Sequence, residues 1–258
     1  MTGEEPNMNE RGVALVTGSG KKRIGWHVAS ALAERGYNVV VHYHTSAREA
    51  EETADALRQR GVEAMALQAN LSDETEVQSL FSAIRNRFDR LDVLVHCAGV
   101  WNKKPLEAVN AVDVRLNFEA NVLSTFLCAR AAGLMMVRQE EGGCIVTLGD
   151  WAVIRPYLDY PAYFASKGAI PTLTRCLAVE LGTRNPRVRV NCVEPGPVLL
   201  PPDLPEVERR EAIAATLVQR EGSPDRIARA VLALIDNDFI DGISLPVDGG
   251  RGIFAGGK

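Results

Sequence analysis

Short apolar runs alternate with stretches of helical periodicity from one end of the chain to the other. Val13–Thr17, Asn38–Tyr43 and residues 64–69, 91–95, 144–148, 188–193 and 243–247 read as strands. Between them lie helical patterns at 24–35, 46–60, 112–138, 162–181 and 224–235. In the third connection Val77, Leu80, Phe81, Ile84 and Phe88 fall at i, i+3, i+4, i+7 and i+11, an amphipathic helix. Ser223 followed by Pro224 reads as the cap and first residue of the last helix. Strands alternating with helices imply an α/β fold, a doubly wound parallel seven-stranded sheet with helices on both faces. No linker or repeat divides the pattern, so residues 11–258 form one expected domain. A proline-rich insertion at 197–222 reads as a partly ordered lid.

Composition narrows the partners. The chain has 258 residues, enough for one larger α/β domain, and a net charge of −4 with no long basic run. That balance argues against nucleic acid. Residues 1–10 are polar and acidic, a loose tail without the apolar core of a signal peptide. No apolar run has membrane-spanning length, so a soluble protein is expected. Cys97, Cys128, Cys144, Cys176 and Cys192 form no CxxC pair and sit in apolar segments, which suits buried reduced thiols in the cytoplasm. His27, His42, His44 and His96 lack metal-ligand spacing, and no metal is expected.

The candidate chemistry lies in residues 149–167, GDWAVIRPYLDYPAYFASK. Tyr163 and Lys167 stand four apart, one helical turn, so an ammonium can stabilise the phenolate and lower the phenol's pKa. Asp150 follows the 144–148 strand, where a carboxyl can enter a crevice or simply cap the next turn. A glycine-rich turn at 17–25, TGSGKKRIG, lies between the first strand and first helix, where backbone N–H groups can meet a pyrophosphate. The second strand ends in His42-Tyr43-His44-Thr45-Ser46, with no acid before Glu49. Together with Arg23, that favours NADP(H) over NAD, unless Glu49 reaches the ribose.

The 17–25 turn, Tyr163-xxx-Lys167 and Pro195-Gly196 together resemble the short-chain dehydrogenase/reductase family over essentially the whole chain. The resemblance implies a Rossmann fold and hydride transfer from a nicotinamide cofactor. It makes Tyr163 the proton donor, Lys167 its modulator and ribose anchor, and Asn121 the holder of a relay water. It also implies cofactor contacts from Gly18, Arg23, Ile24, Gly25, His44, Thr45, Ser46, Asn70, Leu71, Ala98, Gly99, Tyr163, Lys167, Pro195 and Gly196, and a homotetramer built through the 112–138 and 162–181 helices.

Within the family the details are similar to the pteridine reductases. Arg23 stands in the glycine turn, HYHTSA resembles their HYHRSA, and Asp150 takes the place where most relatives carry serine. The substrate this implies is a pterin, dihydropterin or dihydrofolate-like, bound by Asp150, Tyr163, Trp101 and Tyr157, with Trp101 stacking on the ring. Arg155 reads either as a lid-orienting or tail-binding residue or as a surface one. Several positions depart from that pattern. The turn is one residue longer, Thr45 replaces an arginine, Asn70 an aspartate, and His96-Cys97-Ala98-Gly99 an NNAS run. Pro171 falls inside the active-site helix and is expected to kink it. A carbonyl reductase of the same family, acting on a small ketone or 3-oxoacyl thioester, is the alternative; a non-catalytic NADP-binding sensor is a remoter one.

Overall fold

The computed structural model describes residues 11–254, so the expected tail at 1–10 lies outside the described residues. Seven strands, β1 (Val13–Thr17), β2 (Asn38–Tyr43), β3 (Ala64–Gln68), β4 (Val93–His96), β5 (Gly143–Leu148), β6 (Val188–Pro195) and β7 (Ser244–Val247), form one sheet among the described residues. Every pairing is parallel and the order is β3-β2-β1-β4-β5-β6-β7. The order reverses between β1 and β4, which opens a crevice at the carboxyl ends of those two strands.

Helices cover both faces, and that is why the strands read as unbroken apolar runs. Ala14, Val16, Val39 and Val41 point to the side packed by α1 (Ile24–Glu34), α2 (Ala47–Arg58) and α8 (Pro224–Asp236), through Val28, Leu32, Leu57, Ile227 and Val231. Val13, Leu15, Val40 and Leu94 point the other way. There α3 (Glu74–Phe88), α5 (Ser124–Met136) and α6 (Pro161–Gly182) deliver Val77, Ile84, Met136 and Leu177. Burying such a side chain stabilises by roughly 1.5–3 kcal/mol relative to exposure, so the two layers dominate the fold's stability.

Four local features add to the sequence pattern. The 112–138 helix is not uniform: α4 (Ala111–Phe118) passes into α5 through a π-helical turn at Glu119–Leu123. α6 runs on through Pro171 as one helix; the missing proline N–H leaves the bond to the Lys167 carbonyl unmade but does not end the helix. The 197–222 insertion contains a helix, α7 (Glu206–Ala214), and is closed at its base by Gly222 N–H donating to Pro197 O at 2.9 Å. Ser223 caps α8 by position, without a side-chain hydrogen bond. No helix among the described residues is long and apolar enough to cross a membrane.

Candidate functional site

The β1–α1 turn sits on the end of β4. Gly18 has φ +63°, and a Cβ there would lie 3.1 Å from Ala98 Cα; one on Gly25 would lie 2.8 Å from Gly18 O. Glycine is required at both by close backbone approach. Ser19 Oγ donates to Val16 O at 2.6 Å and Thr53 Oγ1 to Gly20 O at 2.9 Å, which fixes the turn from beneath. Arg23 is the N-cap of α1 without a side-chain cap, and the first turn carries no acid. Trp26 N–H turns back to Arg23 O at 3.0 Å, which leaves the N–H groups of Ile24 and Gly25 to meet an anionic group, with Lys21, Lys22 and Arg23 exposed nearby.

His42 ties this turn to its neighbours. Gly18 N–H donates to His42 Nδ1 at 3.1 Å, so Nε2 carries the proton and donates to Ala69 O at 3.0 Å. Burial pushes the imidazole down to about 4, so it stays neutral at ordinary pH. His44 and Thr45 lie exposed at the mouth, and Ser46 begins α2 without a cap bond. Asn70 Oδ1 accepts from Ser72 N–H at 3.1 Å, and Leu71 is buried in the core beside it. Gly196 N–H donates to Val247 O at 3.1 Å, and a Cβ on Gly196 would lie 2.4 Å from Asp248 Cα. The glycine cradle with its helix lacking a side-chain cap suits a dinucleotide.

At the centre, Tyr163 Oη donates to Asp150 Oδ2 at 2.6 Å. The other carboxyl oxygen accepts from Ala152 N–H at 2.8 Å, so Asp150 also caps the short turn at Trp151–Val153. One side chain therefore caps a turn and accepts from Tyr163. Burial raises the Asp150 carboxyl above the usual range, opposed by the bonds from Tyr163 and Ala152 and by the Lys167 charge. Burial and the Asp150 charge also push the Tyr163 phenol up. The expectation of a lysine-depressed phenol is corrected here: Lys167 Nζ donates to Leu148 O at 2.8 Å, and the charge that sets the phenol is the carboxylate. Lys167 itself is lowered by burial, with Asp150 countering.

Asn121 sits in the π turn, 1% exposed. Its Oδ1 accepts from Val100 N–H at 2.8 Å, and Nδ2 donates to Val100 O at 3.2 Å and Ser166 Oγ at 2.9 Å. The side chain thus clamps the loop after β4 to α6. Gly99 is compelled by this clamp, since a Cβ there would lie 2.7 Å from Asn121 Oδ1. Ser166 gave no signal in the sequence beyond lying between Tyr163 and Lys167.

The mouth beside Asp150 is aromatic. Trp101 stacks on Tyr160 at 5.0 Å and 9°, and its indole N–H donates to Tyr157 Oη at 3.3 Å. Tyr157 meets Phe164 edge-on at 4.8 Å. One face of Trp101 is therefore taken by Tyr160, while the residue remains 46% exposed. Arg155 is engaged elsewhere: its guanidinium donates to Arg251 O and Phe254 O and pins the loop after β7. Cys176 is exposed on α6, against the expectation that all five thiols are buried; among the described residues the cysteines are free.

This arrangement has close parallels among known proteins. The family described as enoyl-(acyl carrier protein) reductase matches residues 18–251. A short-chain type dehydrogenase/reductase of Picea abies is 32% identical over 254 residues, covering 93% of this chain and 92% of that one. A 3-oxoacyl-[acyl-carrier-protein] reductase of Synechocystis is 32% identical over 246 residues, covering 94% and 97%. The acetoin dehydrogenase structure from Enterobacter cloacae superposes with a TM-score of 0.83 at 34% identity, covering 93% of this chain and 95% of that one. By the family match over most of its length and by these relatives, the chain belongs to the short-chain dehydrogenase/reductase family of oxidoreductases.

Proposed function

We propose that the protein is an NADPH-dependent reductase whose acceptor is a planar nitrogen heterocycle of the pterin class. The observation that carries this reading is the 2.6 Å bond between Tyr163 and Asp150. A carboxyl group accepts from the amino edge of such a ring, whereas beside an oxyanion it repels. When bound, the nicotinamide supplies the hydride. Tyr163 and Asp150 share the proton that the reduced ring nitrogen takes, with burial keeping both groups readily protonated. Lys167 anchors the nicotinamide ribose, and Asn121 holds the loop after β4 against α6. Trp101, Tyr157 and Tyr160 wall the ring, and residues 197–222 close over it as a lid.

NADPH over NADH is supported by the end of β2, where His44, Thr45 and Ser46 stand with no acid, and by exposed Arg23. Five unpaired cysteines support a reducing, cytoplasmic setting. A homotetramer is supported by an apolar face on α4, the π turn and α5, where Val112, Leu116, Leu123 and Phe126 are exposed.

A second reading is reduction of a carbonyl group in a small ketone or 3-oxoacyl thioester. Two of the similar proteins above are named for such compounds, and those names support it more than the first reading. In that case a protonated Asp150 serves as the second donor to the carbonyl oxygen. NADPH consumption with dihydropterin, dihydrofolate, acetoin-type ketones and a 3-oxoacyl thioester side by side separates the two. Turnover of the heterocycles carries the first reading; turnover of the carbonyl compounds alone overturns it in favour of the second. Silence with all of them, with NADPH still bound, overturns both.

A further inference from the structure

His96, the last residue of β4, lies between the cofactor turn and the π turn and is used by neither reading so far. It is 2% exposed, and both ring nitrogens have partners. Nδ1 is 3.2 Å from Thr17 Oγ1 and Nε2 is 3.3 Å from Ser124 Oγ. The surrounding bonds fix the direction of each. Thr17 Oγ1 accepts from Ala98 N–H at 3.0 Å, which leaves its own hydrogen for Nδ1. Ser124 donates its hydrogen to Ala120 O at 2.6 Å, so its oxygen is the acceptor for Nε2–H. One neutral tautomer satisfies all four groups, and desolvation in the interior favours that uncharged form.

The two ends of this chain are both functional places. On one side Thr17 precedes Gly18, whose N–H is held by His42, so the bond from Thr17 seats the β1–α1 turn. On the other side Ser124 meets the carbonyl of Ala120, and Thr125 Oγ1 donates to Asn121 O at 2.6 Å. A π turn widens the helix and releases carbonyls from their usual i+4 partners. Here two hydroxyls take them up, and His96 orients the first hydroxyl. The shape of the turn that presents Asn121 to Val100 and Ser166 thus depends on a group anchored in β4.

We infer that His96 is a positioning residue that sets the π turn bearing Asn121 in register with the cofactor turn. It touches neither substrate nor cofactor. The inference rests on the reading above only in that Asn121 and the glycine turn serve one reaction.

Two substitutions cut the chain at opposite ends. Asparagine places its amide where Nδ1 lies and cannot reach Ser124; glutamine places its amide where Nε2 lies and releases Thr17. His96→Asn is expected to lower kcat about fivefold or more, with the NADPH Kd within about twofold of wild type. His96→Gln is expected to raise the NADPH Kd about fivefold and leave kcat at saturation within about twofold. Ser124→Ala, a smaller change, should reproduce the asparagine phenotype. The Asn121 side-chain amide signal in nitrogen-15-asparagine-labelled protein gives a readout free of any substrate: it should move in His96→Asn and Ser124→Ala and stay in His96→Gln. Should the wild type reduce no acceptor, the reductase reading fails while Kd and the amide signal still test this one. Both variants changing both readouts together, or neither changing either, would overturn it in favour of plain packing.

Discussion

Tyr163 gives its hydroxyl hydrogen to Asp150, 13 residues upstream, at 2.6 Å. The bond joins the loop after β5 to the first turn of α6, and burial with this contact sets the electrostatics of the pair. A phenol facing a carboxylate is held protonated, while the carboxyl, mostly out of water, is itself raised. In the proposed reaction, proton delivery belongs to the pair as a unit. Lys167, bonded to Leu148 O, stands behind that pair.

Removing the phenol oxygen should be costly for turnover and nearly neutral for cofactor affinity. Tyr163→Phe is expected to lower kcat by about 10²–10⁴-fold, the usual range for a positioned proton donor. NADPH titration by fluorescence should give a Kd close to wild type. A variant with near-native kcat would remove Tyr163 from the proton path.

Asp150 should make stability depend on pH in a defined direction. Its folded pKa lies above the ordinary 3.8, so its favourable contribution is complete below that value and is lost as pH rises through the raised folded pKa. Asp150→Asn cannot ionise and escapes the loss. The Tm of the variant minus that of wild type should therefore grow as pH rises from about 4 and level off once the raised pKa is passed. Over that window the stability gap widens by at most about 1.4 kcal/mol per pH unit. A difference that stays flat or falls with rising pH contradicts the burial of a chargeable carboxyl.

The turn after β6 admits no side chain. Gly196→Ala puts a Cβ against the Asp248 backbone, which is not a flexible neighbour. A loss of about 1–3 kcal/mol is expected, read as a lower Tm, with the cofactor rim disturbed as well. An unchanged Tm would show that β7 moves aside without strain.

Much of the fold was legible because both faces of the sheet are covered, which leaves its strands apolar throughout and easy to separate from the helical periodicity. The glycine turn, Asp150, Tyr163 and Lys167 were picked out by spacing and resemblance together and Asn121 by resemblance alone; the structure joins Tyr163 to Asp150 and Asn121 to Ser166. The π turn was not, because Ser124 and Thr125 look like ordinary helix residues until the carbonyls they satisfy are seen. α7 was hidden by its sequence, EVERREAIA, which leaves none of its residues buried, among surrounding prolines. The direction of the Tyr163 proton, and the roles of His42 and His96, depend on neighbouring strands and helices that no local window contains. Pro171 lies inside α6 as read, and packing of α6 on the sheet outweighs one absent hydrogen bond.

The exposed apolar face on α4 and α5 should be an interface between copies of this chain. Leu116→Glu together with Phe126→Glu places charges in it and should lower the mass measured by light scattering to that of a smaller assembly, without unfolding. The same mass for variant and wild type would take these helices out of the assembly.

The most direct measurement concerns Asp150→Ser, which keeps a hydroxyl partner for Tyr163 and removes the acid. Wild type and variant are compared in kcat/KM for a dihydropterin and for a small ketone, with NADPH affinity measured alongside. The ratio of heterocycle to ketone turnover is expected to fall by about tenfold or more, with NADPH binding unchanged. A ratio that stays the same, or shifts towards the heterocycle, would contradict the role given to the Asp150–Tyr163 pair.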